Sequence, residues 1–553
     1  MYLENIEILG FRGINRLSLA LDENTVLIGE NAWGKSSLLD ALSLLLAPTL
    51  PLYHFDLQDF YFKPGDENSR ERHLQVIFTF CETAPGHHLA PRYRPLKRVW
   101  VEGDASRHRI FYRLEGEVDE SQAVFTWRSF LDAEGHPIKL NDIDNLAREV
   151  IRLHPVLRLR DARFIRRLRS GTLAATIESS DEKLAQQFDQ LMRELVQNPQ
   201  KLTDKELRQG LVAMRQLLEH YFSEQSAISS DRHHRHERSH NGKSWRSLDN
   251  INRLIADPNS RSRRIILLEL FSTLLQAKGS VVLDPHARPL LLVEDPETRL
   301  HPIMLSVAWG LLMQLPLQKV TTTNSGELLS LVPMEQVCRL VRESSRVATF
   351  RIGMQGMSAE DSRRIAFHIR FNRPASLFAR CWLLVEGETE VWMLNELARQ
   401  CGHHFEAEGV KVIEFAQSGL RPLVKFARRM GIEWHVLVDG DDAGKKYAAT
   451  AKSMLSAPGE NERDHLTVLP ALDMEHYMYR EGFSHVYHRV AQLPEKVPLS
   501  MHKIIVKAIH RSSKPDLAIE VSMEAASMGR EAIPPLIRSM FSRVLWLARG
   551  RAD

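Results

Sequence analysis

The chain has 553 residues, of which 43% are hydrophobic and 26% charged, an ordinary soluble globular composition with length for about three to four domains. Its net charge of +3 leaves any nucleic-acid binding to local basic patches, and its four cysteines, Cys81, Cys338, Cys381 and Cys401, lack C-x-x-C spacing, which excludes a disulfide framework or cysteine zinc site and points to reduced thiols in the cytoplasm. No apolar run reaches the roughly 18 residues of a membrane span and the start lacks a signal-peptide pattern, so secretion and membrane insertion are excluded as expectations.

In chain order, short alternating runs such as residues 74–80 and 109–113 predict sheet through the first 130 residues. Within it, Val26-Leu-Ile-Gly-Glu-Asn-Ala-Trp-Gly-Lys-Ser-Ser37 fits Gly-x-x-x-x-Gly-Lys-Ser, between an apolar strand and a helical pattern of Leu38, Leu39, Leu42, Leu45 and Leu46. That context makes a P-loop. Backbone N–H groups across Gly29, Glu30, Asn31, Ala32, Trp33, Gly34, Lys35, Ser36 and Ser37 can cradle the phosphates of ATP. Lys35 can reach the β and γ oxygens, and Ser36 can sit on Mg²⁺.

From residue 142 the period changes to a helical one, with Leu184, Phe188, Leu191 and Leu195 on one face, so residues 142–225 are expected to be a helical insertion, either simple core packing or a dimerisation arm. The Ser-, His- and Arg-rich residues 226–247 are expected to be a solvated loop without chemistry, and residues 264–275 a buried helix. Next, Pro289-Leu-Leu-Leu-Val-Glu-Asp-Pro-Glu297 is an apolar strand ending in acids, a Walker B segment in which Glu294 is assigned to the nucleotide's metal and Asp295 to water activation.

Two later strands carry the densest chemistry. Leu383-Leu-Val-Glu-Gly-Glu-Thr-Glu390 and His435-Val-Leu-Val-Asp-Gly-Asp-Asp-Ala-Gly444 each run from buried parallel strand into glycine and carboxylates, gathering acids at one sheet edge. Four carboxylates this close repel one another, and hard cations with oxygen ligands, Mg²⁺ or Mn²⁺, are the usual remedy. Glu386 and Glu390 are spaced to stand one beneath the other on entering a helix, and Asp439 and Asp441 point the same way with Gly440 keeping the backbone open.

Glu-Gly followed by Asp-x-Asp resembles the Toprim fold. An amino-terminal P-loop ATPase, a Walker B of the form Glu-Asp-Pro-Glu-x-x-x-His-Pro and a carboxyl-terminal Toprim domain, in that order, resemble the OLD (overcoming lysogenisation defect) family of ATP-dependent nucleases. The resemblance implies an α/β fold with an ABC-type P-loop ATPase domain in two lobes (1–141 and 226–370), the helical insertion, and a Rossmann-like Toprim domain with helical additions (371–553). It implies two-metal phosphodiester hydrolysis on DNA, with Glu386, Glu390, Asp439 and Asp441 as ligands and no covalent protein intermediate. Glu475 resembles a further acidic ligand, with Asp473 as its competitor, and Lys514 resembles a late lysine that offsets phosphorane charge; Glu388 and Asp442 are left to solvent or supporting roles. Tyr477 and Tyr479 remain as the tyrosines of the disfavoured topoisomerase-like alternative.

Two departures from the family pattern bear on ATP. Asn259-Ser-Arg-Ser-Arg-Arg264 lacks the glycine of a Ser-x-Gly signature, and Thr321-Thr-Thr-Asn-Ser325 offers Asn324 where a switch histidine is expected. Asparagine can hydrogen-bond a phosphate but cannot become charged, so ATP binding with slow hydrolysis is expected. The ATPase type implies a homodimer. Basic runs at residues 158–169, 261–264 and 421–429 are the candidates for sequence-nonspecific DNA phosphate contacts, and nothing in the chain assigns a helicase partner.

Overall fold

The structure is a computed structural model that describes residues 1–159 apart from 49–50, 64–68 and 104–105, Asp284, and residues 287–550 apart from 299–301, 315–316, 354–356 and 456–459. It divides into two compact units, Met1–Leu340 with Ser345–Thr349, and Val341–Ser344 with Phe350–Asp553.

The first unit begins β1 (Tyr2–Phe11), β2 (Ile14–Ala20) and β3 (Asn24–Ile28), then β4 (His73–Cys81), β5 (Val101–Glu102), β6 (His108–Val118) and β7 (Val124–Leu131). One sheet has the order β2-β1-β4-β6-β5, with β7 also on β6, and its strands pair antiparallel. Alternation explains it: Ile6 and Ile8, Val76, Phe78 and Phe80, and Ile110, Tyr112 and Leu114 turn one face inward. That face shares a core with Leu38, Leu39, Leu42 and Leu45 of the helix Lys35–Leu45.

The remaining strands of this unit are β8 (Val156–Leu159), β9 (Leu290–Glu294), β10 (Gln318–Thr322), β11 (Val337–Arg342) and β12 (Val347–Phe350), and the second sheet runs β12-β11-β3-β10-β9-β8. From β11 through β8 the pairs are parallel and the strands read as near-continuous buried runs. P-loop strand β3 therefore has β10 as neighbour and Walker B strand β9 one further out.

The expected start of a helical insertion at 142 is corrected here. The change of period is one helix, Ile143–Leu153, whose Leu146, Ala147, Val150 and Ile151 join the same core, and β8 then pairs with β9 from Val156↔Leu290 to Leu159↔Val293. A four-residue strand is too short to announce itself by period. The rest of that insertion, the 226–247 loop, the segments 259–264 and 264–275, and the arginines after 159 in the first basic run lie outside the described residues.

The second unit holds a parallel sheet, β14 (Val410–Glu414), β13 (Cys381–Val385), β15 (Glu433–Val438) and β16 (Leu466–Val468) in that spatial order. Helices Glu388–Gln400, Leu420–Arg429 and Asp442–Ser453 follow β13, β14 and β15, the alternation of a Rossmann-like domain. Helices Met474–Met478, Ser484–Ala491, Met501–Arg511, Lys514–Met528 and Pro535–Arg549 are the helical additions and share its core. The compact division falls near residue 350 rather than at 370, because the stretch before β13 is tied into this unit: Trp382 Nε1 donates to the Ser376 carbonyl at 2.9 Å, and Arg373 pairs with Glu414. No helix of the described residues is long and apolar enough to cross a membrane.

Candidate functional site

In the first unit the loop after β3 has the form that nucleotide phosphates require. Gly29 has φ +151°, and a Cβ there would stand 2.7 Å from the Leu340 carbonyl oxygen. Gly34, at φ +95°, caps the helix Lys35–Leu45, so its first N–H groups face the loop. Between them Asn31–Trp33 makes one 3-10 turn, with the buried Trp33 ring under the Arg339 guanidinium at 5.6 Å. Glu30 is half-buried, Asn31, Ala32 and Ser36 are exposed, and the Ser37 hydroxyl accepts the Gly13 N–H at 3.1 Å.

Lys35 is buried, and its Nζ donates to the Gly29 carbonyl and to Asn324 Oδ1, each at 2.6 Å. Burial lowers its pKa, opposed by Asp295 and Glu297. Asn324, the expected switch position, lies just past β10, and its N–H is held by Glu297 Oε1 at 2.7 Å. Asp295, at φ +40°, donates its N–H to the Thr322 carbonyl at 3.1 Å, and its Oδ1 accepts the Thr322 hydroxyl at 3.0 Å. Thr322 and Glu297 are supports that the sequence alone does not reveal, although they lie in the Thr321–Ser325 and Walker B segments.

Arg158, expected to touch DNA phosphates, is corrected. Its side chain is 7% exposed and bridges Asp40 at 2.5 Å to Glu294 at 3.0 Å. A buried guanidinium answered by two carboxylates is committed inside the fold. Asp40 also takes Arg12 at 2.6 Å, and Arg12 reaches the fully buried Asp59 at 2.9 Å.

In the second unit β13 and β15 are hydrogen-bonded neighbours in parallel, so their carboxyl ends open side by side. Glu386 leaves β13, and its Oε1 accepts the Asp439 N–H at 3.2 Å. Gly387 caps the next helix, placing Glu390 in its first turn; a Cβ on Gly387 would meet Glu390 Oε2 at 2.9 Å. Asp441 caps the helix after β15 by accepting the Gly444 N–H at 2.6 Å. The backbone here is pressed from below: a Cβ on Gly440 would lie 2.3 Å from the Ala471 carbonyl, and one on Gly444 2.0 Å from that of Asp439.

The electrostatics follow from that crowding. Burial and then the charges of Glu386, Glu390, Asp473 and Glu475 push Asp439 up to about 8. Burial, then Asp441 and Glu390, raise Glu386 despite the Asp439 N–H. Glu475, 8% exposed, is raised by burial against the pull of Lys514, whose Nζ stands 3.1 Å from Oε1; Glu475 Oε2 is buried with no hydrogen-bond partner. Burial opposes the Lys514 charge, and Glu475, Asp473 and Glu390 outweigh it.

The arrangement thus gathers Glu386, Glu390, Asp439, Asp441, Glu475 and Lys514, and brings in Asp473 as well. Asp473 caps the short helix through the His476 N–H at 2.8 Å and holds His476 Nδ1 at 2.6 Å, with His502 Nδ1 3.2 Å from His476 Nε2. That histidine pair had no sequence signal. Glu388 and Asp442 are exposed, as expected, with Arg373 at 3.8 Å and Lys445 at 2.9 Å respectively. Tyr477 is 2% exposed with its hydroxyl pushed up to about 12 by burial, and Tyr479 is hydrogen-bonded to His488 at 2.9 Å, which disfavours both as nucleophiles. All four cysteines are buried, and none forms a disulfide among the described residues.

A family model described as "Protein of unknown function (DUF2813)" matches residues 1–376, and one described as "Overcoming lysogenization defect protein-like, TOPRIM domain" matches residues 377–441. Over 554 residues, and 100% of both chains, the sequence is 68% identical to "Uncharacterized protein YbjD" of Escherichia coli (strain K12). Among solved structures, the C-terminal region of the Burkholderia pseudomallei OLD protein is similar at 16% identity and TM-score 0.27, over 31% of this chain and 99% of that one. The SMC head domain from Thermotoga maritima is similar at 11% identity and TM-score 0.29, over 64% of this chain and all of that one (100%).

Proposed function

The chain belongs to the DUF2813 family and carries an OLD-like TOPRIM domain in its second unit, and from that premise we propose that it is an ATP-binding, divalent-metal-dependent DNA endonuclease. The observation that carries the reading is the carboxylate cluster at the ends of β13 and β15, where Asp439 is pushed to about 8 by burial and by its neighbours. A purely structural sheet edge gains nothing from mutually repelling acids.

The residues fit Mg²⁺ or Mn²⁺: the donors are all hard oxygens, and the buried Glu475 Oε2 lacks a partner that a cation would provide. Glu386, Glu390, Asp439, Asp441 and Glu475 would hold the metal. When bound, it supplies an activated water and neutralises charge on the phosphoryl oxygens. The chain's own part is positional. The Asp439 N–H orients Glu386, the Gly444 N–H orients Asp441, and the Lys514 ammonium offsets charge developing on the pentacovalent phosphate. Arg421, Lys425 and Arg429, exposed at intervals of one helical turn, would meet DNA phosphates without reading bases.

In the first unit the loop from Gly29 to Ser37 and Lys35 would take the phosphates of ATP, with Ser36 and Glu294 toward its Mg²⁺ and Asp295, steadied by Thr322, toward the attacking water. Asn324 would hydrogen-bond the γ-phosphate, favouring binding with slow turnover. A homodimer completes this reading.

The test is supercoiled plasmid incubated with wild type and Asp439→Ala in Mg²⁺ or Mn²⁺. Nicking or linearisation by wild type alone is the expected result. DNA binding without cleavage in either metal would replace the proposal with a nucleotide-switched DNA-binding or assembly protein.

A further inference from the structure

In the antiparallel sheet of the first unit, Glu82 directly follows β4, His108 opens β6, and His88 lies in the 3-10 turn His87–Leu89. The Glu82 side chain is completely buried, and among the described residues no lysine or arginine pairs with it. Its Oε1 accepts the His108 N–H at 2.7 Å and its Oε2 the His88 N–H at 2.9 Å. The two imidazole Nδ1 atoms approach the same oxygens, at 3.3 Å for His108 and 3.0 Å for His88. The two backbone N–H bonds hold both carboxylate oxygens in place.

A buried carboxylate is therefore answered by two backbone N–H groups and two imidazoles, and by no lysine or arginine among the described residues. Their rings are stacked, with centroids 3.6 Å apart and planes 27° from parallel, a spacing at which two imidazolium charges would repel strongly. A divalent cation would neutralise the carboxylate without charging either ring.

We propose that Glu82, His88 and His108 bind a first-row divalent transition metal of the Zn²⁺ class, with a fourth position left to water. Three donor atoms lie within 4.8 Å of one another. Tetrahedral bonds of about 2.0–2.1 Å place neighbouring donors roughly 3.3 Å apart, close to the carboxylate–imidazole separations present. The histidine side chains are 17% and 25% exposed, which gives an ion a path in. Binding requires each near-parallel ring to turn about its Cβ–Cγ bond until the Nδ1 lone pairs converge. With Nδ1 of each ring as the ligand atom, the ring proton stands on Nε2. Both carboxylate oxygens keep their backbone N–H bonds, which orient the ligand as supporting contacts do at established metal sites. The donor set of two nitrogens and carboxylate oxygen favours Zn²⁺ or Co²⁺ over Mg²⁺, in contrast to the all-oxygen cluster of the second unit. The bound ion would tie the end of β4, the 87–89 turn and the start of β6 together.

The experiment uses metal-stripped full-length protein carrying Asp439→Asn, so that the carboxylate cluster does not compete. Co²⁺ is titrated in, and visible absorption and bound metal per chain are read. One equivalent with tetrahedral-type absorption is expected. His88→Asn and His108→Asn keep an amide able to donate to Glu82, and so preserve the hydrogen-bonded hub while removing the ligand. Each should keep the same melting temperature without metal and weaken Co²⁺ binding at least about 100-fold. No retained Co²⁺, or retention unchanged in both asparagine variants, would overturn the proposal and leave a hydrogen-bonded hub.

Discussion

Replacing Asp439 by Asn should stabilise the metal-free protein. The ordinary value for an aspartate is 3.8, and here the carboxyl is pushed to about 8, so the folded state holds a proton that the unfolded chain releases over that interval. The sign follows: a raised carboxyl pKa makes the fold lose stability as pH rises from about 4 to about 8. At about 1.4 kcal/mol per decade the full effect near pH 8 is about 5 kcal/mol. Water on the open side of the sheet edge and sharing of the repulsion among neighbouring acids reduce this to about 2 kcal/mol. For a unit of this size that is about 4–8 °C of melting temperature. In EDTA at pH 8, Asp439→Asn should melt that much above wild type, and at pH 5 the gap should nearly close. Mg²⁺ or Mn²⁺ should raise the wild-type melting temperature and leave that of the variant little changed. If Asp439→Asn were neutral or destabilising at pH 8 without metal, the carboxylates would not be in conflict and the case for a cation there would fail.

Other substitutions probe the remaining supports. Arg158→Ala removes the partner of two carboxylates and should cost about 3 kcal/mol by urea denaturation; a loss under about 0.5 kcal/mol would return Arg158 to the surface role expected from the sequence. Lys514→Ala should slow plasmid nicking by about 10- to 100-fold with DNA affinity nearly unchanged, and Lys514→Arg should recover part of the rate; an equal loss of binding would make it a DNA contact instead. ATP turnover should stay below about one per second and Lys35→Ala should abolish retention of labelled ATP, whereas tens of turnovers per second would refute the reading of Asn324. Gly440→Ala forces a Cβ against the Ala471 carbonyl and should destabilise the second unit by more than about 2 kcal/mol in thermal melts.

What the sequence disclosed best were features written contiguously. The P-loop, the Walker B strand and the two carboxylate-tipped strands each combine an apolar run with glycine and charge in one short segment, and all became strands in the expected sheets. The placement of Asp439 beside Glu386 followed from strand neighbourhood alone. What stayed hidden depends on residues far apart in the chain. Arg158 reads as one of many arginines until Asp40 and Glu294, 118 and 136 positions away, close around it. Helix Ile143–Leu153 and β8 read as part of an insertion because an amphipathic period reports a buried face without saying whose core it enters. Glu82, His88 and His108 belong to a strand end, a turn and another strand start, so no spacing rule links them.

The loop after β3 satisfies its own lysine. With Lys35 already bonded to the Gly29 carbonyl and Asn324, the nucleotide of the proposed function would arrive as a competitor for occupied partners and not as the organiser of a slack segment. Its gain is the difference between the bonds it offers and the two it displaces. Each phosphate that reached Lys35 and the loop N–H groups would add to the bonds offered in that exchange. On the proposed function the loop would then discriminate by phosphate number, with the triphosphate gaining most.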